Sequence, residues 1–141
     1  MASLTPEEQT RLILEREEGR RAKPYQDSRG LLTIGVGHLL EKGLPNHIID
    51  ALLDHDIAEA RAGAEGIPGF AGADPIRQQV LIRMVFQMGL GGVLKFKKFL
   101  AFFAAGQYQD AAREMLDSQW ARTDSPLRAK REAEIMRTGV V

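Results

Sequence analysis

At 141 residues the chain is long enough for one domain with a buried core, and a composition of 44% hydrophobic and 27% charged residues is that of a globular protein. It has no cysteine, which excludes a disulfide scaffold and a thiolate metal site. Net charge is zero, although residues 1–69 are the acidic half and 70–141 the basic one; with no interleaved basic and aromatic strip, nucleic acid is not an expected partner.

Thr5 is placed to cap a first helix, Pro6 fits its opening position, and Glu8 completes a capping box by reaching back to the Thr5 amide. Gly19 is a natural stop after Glu18, so Glu18 is expected at a helix end, where a side chain projects into a cleft. Residues 1–8 show no basic segment followed by an apolar run, so no secretory signal is expected. Residues 25–27 and 31–34 read as short strands around an Asp27-Ser28-Arg29-Gly30 turn, with Gly35, Gly37 and Gly43 allowing further bends.

From about 46 to 64 a helical period puts Ile48, Ile49, Leu52, Leu53, Ile57 and Ala60 on one broad face. Glycines and prolines over 63–72 mark a loop. Asp74 and Pro75 then open the expected core helix, with Val80, Leu81, Met84 and Val85 inward and Gly89, Gly91 and Gly92 ending it. Three shorter helices are expected over about 93–105, 107–119 and 126–137. No run of apolar residues reaches the ~18 of a membrane span, so no stable membrane insertion is expected.

Glu18, Asp27 and Thr33 form the constellation with chemical content. Glycoside hydrolysis needs one carboxyl to protonate the leaving oxygen and a second to activate water or attack the sugar. The two must face each other across a groove, and a helix end opposite a β-hairpin supplies that. Thr33, on the partner strand, is placed to orient a water held by Asp27. Glu17 adjoins Glu18, and local reasoning does not separate them.

The run Glu18-Gly19, then Tyr25-Gln26-Asp27-Ser28-Arg29-Gly30-Leu31-Leu32-Thr33-Ile34-Gly35-Val36-Gly37-His38-Leu39-Leu40, closely resembles the active-site hairpin of the T-even phage lysozymes, glycoside hydrolase family 24. Similar stretches continue through residues 77–89, Ser118-Gln119-Trp120, Pro126-Leu127-Arg128-Ala129-Lys130-Arg131 and Arg137-Thr138-Gly139. The resemblance covers nearly the whole chain in one order. It implies an α+β, mostly helical lysozyme-like fold in a single domain, 1–141. A β-hairpin lobe (about 20–45) would be joined by a long helix (about 46–64) to a helical lobe (about 1–18 and 70–141).

The same resemblance implies a peptidoglycan hydrolase, an endolysin. It would cut the β-1,4 bond between N-acetylmuramic acid and N-acetylglucosamine with inversion and lyse the cell. Glu18 would be the general acid, kept protonated by partial burial. Asp27 would be the ionised carboxylate that positions and deprotonates water, and Thr33 would help hold that water. Arg128 matches an arginine that pairs with the catalytic glutamate, and His38 a histidine that ion-pairs with Asp56. Leu39, Phe86 and Gln87 match positions lining the cleft. Phe99 and Glu114 stand where the family has a serine and an asparagine that touch substrate, so those two contacts are not carried over.

No metal or cofactor is expected; His38, His47 and His55 lack ligand spacing. The chain is expected as a monomer, made in a host cytoplasm and reaching periplasmic peptidoglycan after a holin permeabilises the membrane. Two other readings are a lytic transglycosylase, which needs no water-activating aspartate, and a lysozyme-like module that binds peptidoglycan without cutting it.

Overall fold

The computed structural model describes residues 2–141. By its contacts the chain forms two compact units, one running to Asp50 and the other from Ala51 to Val141. It is mostly helical, with one small antiparallel sheet near the N-terminus, the α+β lysozyme-like class expected.

The first unit opens with helix α1 (Pro6–Glu18). Thr5 caps it as expected: Glu8 N–H donates to Thr5 Oγ1 at 3.2 Å, and the Thr5 amide donates to Glu8 Oε2 at 2.7 Å. Three strands follow, β1 (Arg21–Gln26), β2 (Leu32–Gly35) and β3 (His38–Leu39), ordered β1-β2-β3. Tyr25 pairs with Thr33, and Thr33 on its other side with Leu39, so Thr33 sits at the middle of the sheet and is 2% exposed. The β1 register slips between Arg21 and Tyr25, around Pro24, which has no N–H for the ladder.

Helix α2 (Asn46–Glu65) carries the boundary between the units. The broad apolar face expected of it is only partly enclosed. Ala60 and Ala64 are buried, whereas Ile48, Ile49, Leu52, Leu53 and Ile57 are each 39–48% exposed.

The second unit is a helical cluster around α3 (Pro75–Val93), capped by the Asp74 side chain on Arg77 N–H at 3.1 Å. The glycines expected to end α3 instead break it: Gly89, at φ 75 and ψ 159, leaves the helical region, and helix resumes to Val93. That backbone excursion is open to glycine and steeply unfavourable for other residues.

Helices α4 (Lys97–Ala104), α5 (Tyr108–Leu116) and α6 (Pro126–Thr138) match the three short helices expected, the first two with tighter limits and the last running one residue further. Between the last two lies a π-helical turn, Trp120–Asp124, which periodicity did not reveal. The core is built from Val80, Leu81 and Met84 of α3, Phe99 and Phe103 of α4, Met115 of α5 and Met136 of α6.

Two arginines tie α3 to α6. Arg83 grips the buried Glu132 with two bonds, at 2.8 and 3.0 Å. Arg77 donates to the carbonyls of Met136 and Arg137 at 2.7 and 3.1 Å, satisfying acceptors that the end of α6 leaves unpaired. No helix of the described residues is long and apolar enough to cross a membrane.

Candidate functional site

Glu18, Asp27 and Thr33 all belong to the first unit, each positioned by a different local device. Glu18 is the last residue of α1, exposed, with its carboxyl laid against the two-residue turn between β2 and β3. A Cβ built on Gly37 would stand 2.9 Å from Glu18 Oε2 and 3.2 Å from its Cδ. Glycine is favoured at that position because φ is +71. The partial burial expected of Glu18 is not found, since Gly37 covers it from one side only. The contact is with Glu18 and not with Glu17, a distinction that the sequence left open.

Asp27 closes β1 and is anchored by the turn it begins. Its Oδ1 accepts the backbone N–H groups of Arg29 at 2.8 Å and Leu31 at 2.9 Å, while its own N–H donates to the Leu31 carbonyl at 2.9 Å. The Arg29 guanidinium lies 3.6 Å from Oδ2. These contacts, the Leu31 N–H foremost, outweigh partial desolvation and hold the Asp27 carboxyl below its ordinary value of 3.8. Asp27 is therefore a fixed, ionised carboxylate near neutral pH, with Oδ2 free of any backbone donor.

Thr33 lies under the same turn. Its hydroxyl donates to the Leu31 carbonyl at 3.0 Å, so a single backbone residue, Leu31, ties Asp27 and Thr33 together. With its proton committed and the residue buried, the Thr33 oxygen has only acceptor capacity left. Leu31 and Arg29 were not singled out from sequence. An Asp two residues before an N–H it binds is the Asx-turn pattern, and that rule was the available signal.

The turns holding Glu18 and Asp27 stand at opposite ends of β2, four residues long.

His38 Nε2 lies 2.9 Å from the Gly43 carbonyl within the first unit, leaving Nδ1 as the ring nitrogen open to a carboxylate. Leu39 is half-buried opposite Thr33. In the second unit Asp56 and Phe86 share the wall of a cavity of about 500 Å³ with Glu59, Val85 and Leu90. Gln87 is half-buried and Arg128 half-buried on α6, without an ion pair inside its unit. Phe99 is fully in the core, stacked near Phe103, so the position that is serine in the family is purely apolar here. Among the described residues, His55, Asp56 and Glu59 bring donor atoms within 4.8 Å of one another. All three are exposed on one helix, where water competes freely for any cation.

A family model described as phage lysozyme matches residues 15–134. The chain is 29% identical to "Probable T4-type lysozyme 1" of Dictyostelium discoideum over 92% of this chain and 94% of that protein. It is 31% identical to the pre-baseplate central spike protein of Enterobacteria phage T4, over 90% of this chain and 27% of the spike protein. A shorter match to the endolysin of Salmonella phage P22 is 72% identical over 25 residues, 18% of this chain.

Proposed function

Because the chain belongs to the phage lysozyme family, we propose that it cleaves the β-1,4 bond between N-acetylmuramic acid and N-acetylglucosamine, with inversion at the anomeric carbon. It is a lysozyme-type peptidoglycan hydrolase; the bond, the stereochemistry and the residues that act are what we propose. The observation that carries it is Asp27, pinned by two backbone N–H groups as a fixed carboxylate in the turn at one end of β2, while the Glu18 carboxyl rests on Gly37 in the turn at the other end.

In this mechanism Glu18 gives its proton to the glycosidic oxygen as the bond to the anomeric carbon breaks. A water on the opposite face of the sugar attacks that carbon and loses a proton to Asp27. One carboxyl ends deprotonated and the other protonated, and exchange with solvent resets both. Thr33, able only to accept, receives a hydrogen bond from the second O–H of that water, which leaves the water's lone pair aimed at the sugar. Inverting pairs stand about 6.5–9.5 Å apart to admit the water, against about 5 Å for retaining ones; inversion is the class that the family resemblance implies.

Arg128 then orients Glu18, His38 with Asp56 supports the hairpin, and Leu39, Phe86 and Gln87 line the cleft. We further propose that the enzyme acts as a monomer, that it is made in a host cytoplasm and that it reaches periplasmic peptidoglycan through a membrane opened by a holin, ending in lysis.

Digestion of purified peptidoglycan tests the reaction. Mass spectrometry is expected to show reducing muramic ends, and proton NMR in the first minutes the α-anomer. Anhydro-muramic ends would mean transglycosylation, a β-anomer would mean retention, and binding without cleavage would mean an inactive module. Each would overturn the reading.

Gly37→Ala tests the seat of Glu18. Forcing a Cβ onto a backbone at φ +71 costs about 1–2 kcal/mol. The new methyl also displaces the carboxyl, which is the end of a flexible chain and moves easily. A melting temperature lower by a few degrees is expected, with a rate loss of tenfold or more; displacements of this size have cost up to ~100-fold. A destabilised variant with the full rate would show that this contact does not place the acid.

A further inference from the structure

In the second unit the amide of Gln87 is held at both ends. The indole N–H of Trp120 donates to Gln87 Oε1 at 3.1 Å, and Gln87 Nε2 donates to Ser125 Oγ at 2.8 Å. An indole nitrogen is a donor and nothing else, so the atom facing it must be the amide oxygen. The amide nitrogen is thereby fixed on the Ser125 side. The oxygen end meets an indole only 3% exposed, whereas the nitrogen end meets a half-buried serine and keeps one proton uncommitted. Gln87 also lines a groove of about 380 Å³ with Met88, Gly92, Phe96 and Asp124.

We infer that Trp120 and Ser125 are positioning residues that present Gln87 to the substrate as a hydrogen-bond donor, selecting a carbonyl oxygen. Peptidoglycan offers such oxygens in its N-acetyl and peptide groups. Without the indole the amide is free to turn and offer its own oxygen, which repels a carbonyl. The inference rests on the hydrolase reading above, because it takes Gln87 as a substrate contact. It also separates two roles for Gln87: a merely structural residue needs only to satisfy Trp120, whereas a donor to substrate needs the nitrogen.

Glu in place of Gln distinguishes them. In Gln87→Glu the carboxylate still accepts from the indole, and the Ser125 hydroxyl turns to donate, but no N–H remains to offer. Trp120 is the only tryptophan of the chain, so its emission reports binding directly. Titration with the tetramer of N-acetylglucosamine is expected to change that emission in the wild type. Binding is expected to weaken about three- to tenfold in Gln87→Glu, the range for one neutral hydrogen bond. On peptidoglycan, KM should rise by the same factor with kcat within about twofold, as for a contact made equally in the ground and transition states.

Ser125→Ala is expected to raise KM in the same direction and Ser125→Thr to restore it, because threonine keeps the acceptor. Trp120→Phe should act likewise; should its fold fail, the serine pair and Gln87→Glu decide. Wild-type KM in Gln87→Glu or Ser125→Ala, or a loss confined to kcat, would overturn the inference. A wild type that binds the tetramer yet leaves peptidoglycan uncut would sink the hydrolase reading instead, so the two failures are distinguishable.

Discussion

Glu18→Gln is expected to abolish clearing of purified peptidoglycan while leaving the fold intact. Glutamine matches the side chain in volume and can rest against Gly37 as the acid does, but it has no proton to give to a leaving alkoxide. Loss of a positioned general acid costs about 100- to 10,000-fold in rate, well beyond any effect of a changed surface charge. The variant should melt no lower than the wild type. Glu18 ends α1, where the helix dipole disfavours negative charge, so neutralising it removes an unfavourable interaction. Glu17→Gln is the matched control, altering the same helix end one residue away and expected to keep full activity. Turbidity loss with both variants beside the wild type gives the answer; activity in Glu18→Gln with loss in Glu17→Gln would reassign the acid.

Asp27→Asn is the second large effect, about two to four orders of magnitude in rate from removal of the base. Asparagine is the informative substitution because its oxygen still accepts the N–H groups of Arg29 and Leu31. Alanine would orphan both and unfold the turn along with the chemistry. The pH behaviour follows from the lowered Asp27 carboxyl. A folded pKa below the unfolded one contributes stability that is fully present above the unfolded value and lost as pH falls through the folded value. Wild type and Asp27→Asn should therefore converge in melting temperature as pH drops below the ordinary 3.8 and separate above it. The acidic limb of kcat/KM should likewise lie below that value. An acidic limb well above it would mean that Asp27 is not the base.

The parts of the fold that the sequence announced are those governed by neighbours a few residues apart. Thr5, Pro6, Glu8 and Gly19 delimit α1 because capping is a local transaction, and Asp74 with Pro75 does the same for α3. The glycine cluster after Met88 was harder: a single residue, Gly89, takes the full backbone excursion, so the helix recovers where three glycines together suggested a stop. The π-helical turn after Gln119 escaped because hydrogen bonds spanning five residues leave no familiar apolar period.

The candidate site divides along the same line. Asp27 sits where strand and turn signals put it, and its anchoring through Leu31 is an Asx turn, legible in principle. The burial of Thr33 was not legible, since it depends on strands pairing on both its sides. Nor was the bond between Gln87 and Trp120, whose partners lie 33 residues apart and meet only through the packing of helices. Which of two adjacent glutamates touches the β2–β3 turn is likewise a matter of helix phase at its last residue.

Pro24 has a consequence for the molecule in quantity. It interrupts β1, an outer strand of a three-stranded sheet, and a strand at the rim of a sheet is ordinarily a template on which another chain can zip. A slipped register bends the strand away from the straight ladder that such docking needs. The imperfection in the hairpin thus works against the edge-to-edge pairing that a regular rim strand invites.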